Sequence, residues 1–139
     1  MNRADLQKMA EERIKDAKAL LDGGRWEFAY YAAGYAVECA LKSSLLTRMV
    51  HTGWVFEERW KAQECLTHDL DDLINLAGLT TERNEQLATN PVFVVNWGTV
   101  IRWKVTSRYE SKTEAEAREL YAAITAEPDG VLKWIRIYW

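Results

Sequence analysis

Tyr31, Tyr35, Glu38 and Lys42 recur at spacings of four, three and four, which stacks them along one side of a helix. A glutamate one turn ahead of a lysine steadies an exposed helix surface by only about 0.2–0.5 kcal/mol. Set beside two phenols, the same pair makes a polar-aromatic face able to hold a ligand. Arg108-Tyr109 is the second feature with chemistry in it. It follows Trp103-Lys104 and precedes a well-capped helix, the kind of connection where functional residues sit on a rigid scaffold. An arginine there can make bidentate contacts to a carboxylate or a phosphate. Two readings follow: Arg108 neutralises Glu38, an acid otherwise costly to bury, or Arg108, Lys42 and the tyrosines face an anionic or nucleotide-like ligand.

Only two histidines are present, His51 and His68. His68 stands at a helix start before three acids, where a cap or packing role competes with a place in the site. The chain has no glycine-rich phosphate loop and no zinc-ligand spacing. No catalytic residue, metal ligand or cofactor is therefore assigned. The candidate ligand contacts are Tyr31, Tyr35, Glu38, Lys42, His68, Trp103, Arg108 and Tyr109.

These residues need helices to position them. An apolar stripe of Leu6, Met9, Ala10, Ile14, Ala17, Leu20 and Leu21 predicts a first helix over residues 3–21. Asp22-Gly23-Gly24 then breaks it, a connection suited to an antiparallel helical hairpin. The stretch RWEFAYYAAGYAVECALKSSLL, residues 25–46, is the long central helix, ending near Arg48 to Gly53. Beside its polar-aromatic face runs an apolar one made by Tyr30, Gly34, Val37, Leu41 and Leu45. Gly34 costs a helix interior about 1 kcal/mol relative to Ala, and close approach by another helix of the bundle, or of a second copy, is the expected return.

Residues 50–66 form the least regular part, where Trp54, Val55, Phe56 and Trp60 are expected in a loop or short helix tucked onto the bundle. Thr67-His68-Asp69 opens a helix through Ala77, with acids at 69, 71 and 72 near its positive end. Leu70, Leu73, Ile74 and Ala77 are its buried side, and Gly78 ends it. A short helix runs from Thr80 or Thr81 to Thr89. Asn90-Pro91 starts the next one. Its Val-Phe-Val-Val has strand propensity, but no partner strand is available elsewhere, so a helix running towards Trp103 is expected.

Ser111-x-x-Glu114 and Thr113-x-x-Glu116 both offer capping boxes for a helix that buries Ala115, Leu120, Ala123 and Ile124. Glu127-Pro128-Asp129-Gly130 precedes a last helix carrying Val131, Leu132, Trp134, Ile135 and Tyr138. Trp54, Trp60, Trp134 and Trp139 are candidates for a self-association surface. The expected fold is all-α, an antiparallel up-and-down bundle of four to five main helices with short extra ones, in one domain over residues 1–139.

Composition narrows the function classes. The chain has 139 residues, 48% hydrophobic and 28% charged, values of a globular domain with one core. No apolar run approaches the roughly 20 residues of a membrane span. The opening MNRADLQKMAEERIKD is charged and helical in character, with no signal-peptide hydrophobic segment. Cys39 and Cys65 make no metal spacing and are expected as thiols in a cytoplasmic protein. A net charge of −3 argues against a protein built chiefly to grip a nucleic-acid backbone.

The ordered set of Glu38, Leu41 and Lys42 in the long helix, then His68-Asp69-Leu70, then Arg108-Tyr109, resembles the HEPN domain family. The resemblance implies a helical bundle that usually dimerises. It also implies frequent association with a minimal nucleotidyltransferase, and membership of toxin–antitoxin or defence systems. Some members are metal-independent RNases whose motif is an arginine, four to six residues, and a histidine, contributed across a dimer cleft. This chain departs from that motif. Arg108 is followed by Tyr-Glu-Ser-Lys-Thr-Glu, Arg48 and His51 have two residues between them, and Arg59 and His68 have eight. RNA cleavage needs a proton acceptor and a phosphate-charge stabiliser at one scissile group, and only the second stands in its expected place. The leading expectation is a non-catalytic dimeric module binding a nucleotidyltransferase-type partner or a nucleotide or RNA ligand. The alternatives are a metal-independent endoribonuclease using His68 or His51 with Arg108, and a purely structural interaction subunit.

Overall fold

The structure, a computed structural model, describes residues 1–52 and 65–139. The expectations for Trp54, Val55, Phe56 and Trp60, and for the side chain of His51, lie outside the described residues. What is described is helical, with no strand among the described residues. In chain order the helices are α1 (Arg3–Asp22), α2 (Trp26–Thr52), α3 (Leu70–Leu76), α4 (Thr80–Thr89), α5 (Pro91–Val100), a 3-10 helix (Val105–Tyr109), α6 (Glu114–Thr125) and α7 (Val131–Ile135).

Helix α1 is fixed at its start by a reciprocal cap. Asn2 Oδ1 accepts from the Asp5 amide at 2.9 Å, and Asp5 Oδ2 accepts from the Asn2 amide at 3.0 Å. At its end the chain reverses through Gly23 and Gly24. Gly24 takes φ +72°, a left-handed conformation that a side chain would strain. Helix α2 then returns along α1, with Ala29, Ala32, Ala33, Ala36 and Ala40 buried on α2 and Ala10 and Ala17 buried on α1.

The apolar face of α2 is buried as expected, at Tyr30, Val37, Leu41 and Leu45. Around it pack α1, α3, the 3-10 helix, α6 and α7. Helix α3 is tied to α2 at its far end. Arg48 donates to the carbonyls of Asn75 (3.3 Å) and Leu76 (2.7 Å), groups that the end of a helix leaves open.

Several local expectations change. Gly34 receives not another helix but a side chain: a Cβ built there would lie 2.2 Å from Cγ and Cδ1 of Trp103. Helix α5 is a helix despite its valines, started by Asn90, whose Oδ1 accepts from the Phe93 amide at 3.1 Å. It ends at Val100, earlier than expected, because the Trp103 amide turns back to the Val100 carbonyl at 3.0 Å and the indole swings onto Gly34. In α6 the N-cap is Thr113. That register buries Ala117, Leu120 and Ile124 at helical spacing and leaves Ala115 exposed. Trp134 is removed from any self-association surface because it is core. It packs edge-on against Phe93 and Trp97, with centroids 5.3 and 6.4 Å away. Trp139 is half-buried with Arg136 over its ring.

Candidate functional site

One face of α2 organises the candidate residues. Tyr31 and Tyr35, one turn apart, lie with rings 5.9 Å apart and within 6° of parallel. The Tyr35 hydroxyl donates to Met9 Sδ on α1 at 3.7 Å. Burial is the chief cause that pushes the Tyr35 pKa up, helped by Cys39 and Glu38. The next turn carries Glu38, 1% exposed. Its Oε1 accepts from Lys42 Nζ at 2.8 Å and lies 2.8 Å from His68 Nδ1. A carboxylate this deep is held by such pairing. Glu38 Oε2 has no hydrogen-bond partner among the described residues.

His68 is aimed by the start of α3. Asp69 is the N-cap, accepting from the Asp71 and Asp72 amides at 2.9 and 3.1 Å. Thr67 Oγ1 accepts from the Asp69 amide at 3.1 Å. This turn directs the imidazole back to α2, leaving its side chain 52% exposed. The bond to Glu38 engages Nδ1, so Nε2 is the nitrogen left for anything arriving from solution. Asp69 also receives Lys104 Nζ at 3.1 Å, which joins α3 to the connection after α5. Burial works to raise the Asp69 pKa, but the Asp72 and Asp71 amides and Lys104 outweigh it and hold the carboxyl below its ordinary value.

The connection supplies the remaining residues. Trp103 is 1% exposed, on Gly34 and 6.0 Å from the Tyr31 ring. It shapes the face from beneath rather than from solvent. Arg108 is exposed, 4.9 Å above the ring of Tyr109, itself 78% exposed. The Tyr31 hydroxyl first, and Tyr109 second, raise the Arg108 pKa.

Arg108 therefore does not neutralise Glu38, whose partners are Lys42 and His68. Among the described residues no carboxylate pairs with Arg108, which stands over the Tyr109 ring instead. Tyr31, Tyr35, Glu38 and Lys42 lie along this face of α2 and His68 against it, Trp103 packs beneath it on Gly34, and Tyr109 stands out from it under Arg108. Sequence reasoning missed the Asp69–Lys104 link; the signal was an acid at the helix cap, read there only as a charge on the helix dipole. Among the described residues no group of three or more His, Cys, Asp or Glu side chains is placed to hold a metal ion. Cys39, beneath the face, has its thiol pushed up to about 11, mainly by burial.

An all-helical domain built on a central helix, with a buried acid held by a histidine from the next helix and an exposed Arg-Tyr pair, defines a class of helical module. The chain matches the HEPN domain family over residues 4–135 and belongs to it. Comparison with the curated proteins and with the solved structures returned no match.

Proposed function

We propose that this HEPN chain is a non-catalytic, dimeric binding module that receives a nucleotide- or RNA-type ligand on the α2 face. The observation that carries the reading is the state of Arg108: exposed, standing over the Tyr109 ring, and neutralised by no carboxylate among the described residues. A guanidinium so placed suits the planar, bidentate recognition of a phosphate. Lys42 adds positive charge further along α2 but is committed to Glu38. Exposed Val92, Val94 and Val95 on α5 support a protein contact, with a second copy or with a nucleotidyltransferase-type partner. No helix of the described residues is long and apolar enough to cross a membrane, and a cytoplasmic setting fits the reading.

The test is titration with nucleotides and short RNA, comparing wild type with Arg108→Ala. Arg108 is exposed, so the variant should fold. Its binding should weaken by about tenfold or more, the scale of one charge-assisted contact. Unchanged binding in a folded Arg108→Ala would defeat the reading. A strict monomer at high concentration, by light scattering, would remove the dimer.

A second reading rests on one distance. His68 Nδ1 at 2.8 Å from Glu38 Oε1 orients an imidazole as a carboxylate orients a general base. With Arg108 stabilising phosphate charge, this is a metal-independent RNase with a rearranged site. That reading requires cleavage of a mixed RNA pool in chelator, lost in both His68→Ala and Arg108→Ala.

A further inference from the structure

Tyr31 carries both a hydroxyl and an aromatic wall. Its hydroxyl is the first cause that raises the Arg108 pKa, and its ring lines a groove of about 520 Å³ between α1 and α2, walled by Phe28, Tyr31 and Tyr35 and by Leu20, with Ala19 and Ala32 also lining it. We infer that this groove is a subsite for the planar heteroaromatic base of a nucleotide whose phosphate is held at Arg108; the inference rests on the phosphate reading proposed above.

Three features favour a base over an apolar partner side chain. The walls are aromatic: Phe28 lies 5.7 Å from Tyr31 at 60°, and Tyr31 stacks on Tyr35. Every base has a π-face that such rings accept. Ala19 and Ala32 contribute only methyl groups, which leaves room for a flat ring, and the volume falls within the range of small-molecule sites. The groove is also not uniformly apolar. Arg13 and Asp16 line it as an ion pair, Nε to Oδ2 2.8 Å, and present a donor and an acceptor to a polar ring edge. Arg108, whose charged form the Tyr31 hydroxyl favours, is the cation that would take the phosphate.

The experiment is an NMR-detected titration of the full chain with AMP, adenosine and ribose 5-phosphate. AMP should bind about tenfold tighter than ribose 5-phosphate, and adenosine should shift the Ala19 and Ala32 methyl signals by ring current. Phe28→Ala and Ala19→Leu both alter exposed positions. Each should bring AMP down to the ribose 5-phosphate level without weakening ribose 5-phosphate. Equal binding of AMP and ribose 5-phosphate, or AMP binding untouched by both variants, overturns the subsite while leaving the phosphate reading at Arg108 standing. Adenosine shifts at Ala19 and Ala32 without binding of either phosphate-bearing probe would leave the groove intact and sink the Arg108 reading. If Ala19→Leu instead changes only the sedimentation of the chain, the groove seats a second copy and the base assignment is overturned.

Discussion

Glu38 Oε1 is shared by two nitrogens from different parts of the chain, Lys42 Nζ and His68 Nδ1, each at 2.8 Å. The carboxylate is 1% exposed, while Lys42 and especially His68 remain reachable by water. Removing the acid therefore strips two partners at once but leaves neither of them buried and alone. Glu38→Ala should cost about 2–4 kcal/mol, below the full cost of breaking a buried pair. Glu38→Gln keeps an acceptor at Oε1 and turns the unpartnered Oε2 position into a donor, so it should cost about half as much. His68→Ala, at the wet end of the bond, should cost about 1 kcal/mol or less. Urea unfolding of the three variants gives the ranking, and a His68→Ala loss as large as Glu38→Ala would contradict it.

Gly34 and Trp103 form one packing unit. An alanine at 34 would gain about 1 kcal/mol of helix propensity, yet its Cβ would sit 2.2 Å from two indole carbons. Trp103 is buried and flanked by Tyr31, so it has little room to retreat. Overpacking of this kind costs about 1–3 kcal/mol. Gly34→Ala should thus be a net loss of up to about 2 kcal/mol, together with a changed near-UV signal from Trp103. Adding Trp103→Leu should recover part of the Gly34→Ala loss, a coupling that a double-mutant cycle reads directly. A stabilised Gly34→Ala would show that the ring moves freely.

Helical periodicity was enough to place Tyr31, Tyr35, Glu38 and Lys42 on one side of α2 and Val37, Leu41 and Leu45 on the buried side, because both patterns are local. Caps were legible for the same reason at Asn90 and Thr113. The partners from other elements were not. Lys42, one turn on, was legible as a partner of Glu38, but whether Arg108 or His68 would join it depends on the chain reversals between them. The glycine announced a close approach without saying whether backbone or indole would arrive. That depended on α5 stopping at Val100 so that residues 101–104 could turn. The groove beside Tyr31 depends on the register of α1 against α2, which no single-helix pattern contains.

Cys39 lies within this packed face, 2% exposed and with its thiol pushed up to about 11 by burial first and by Glu38 second. At pH 8 only about one molecule in a thousand would carry the reactive thiolate. Iodoacetamide should therefore leave Cys39 unmodified in the folded protein and label it only after unfolding. Mass mapping of the alkylated chain at increasing urea would follow this, with Cys39 labelling tracking the unfolding curve. Prompt labelling in native buffer would show that the α1–α2 packing opens readily.

Asp69 gives the site an acid limit. Its carboxyl is held below its ordinary value because the Asp72 and Asp71 amides and Lys104 outweigh the effect of burial. A lowered folded pKa means stability that is present above the unfolded value, about 3.9, and is lost as pH falls through the folded one. Asp69→Ala should cost about 0.5–2 kcal/mol near neutrality, the range for losing an N-cap. That difference should shrink steadily below about pH 4 and vanish once wild-type Asp69 is itself protonated. Because Asp69 fixes the turn that aims His68, the same acid range should release the imidazole from Glu38. Urea midpoints of wild type and Asp69→Ala between pH 2 and 7, with the His68 ring signals followed by NMR, test both parts. A wild-type advantage that persists undiminished at pH 2 would show that the carboxylate's charge is not what caps α3.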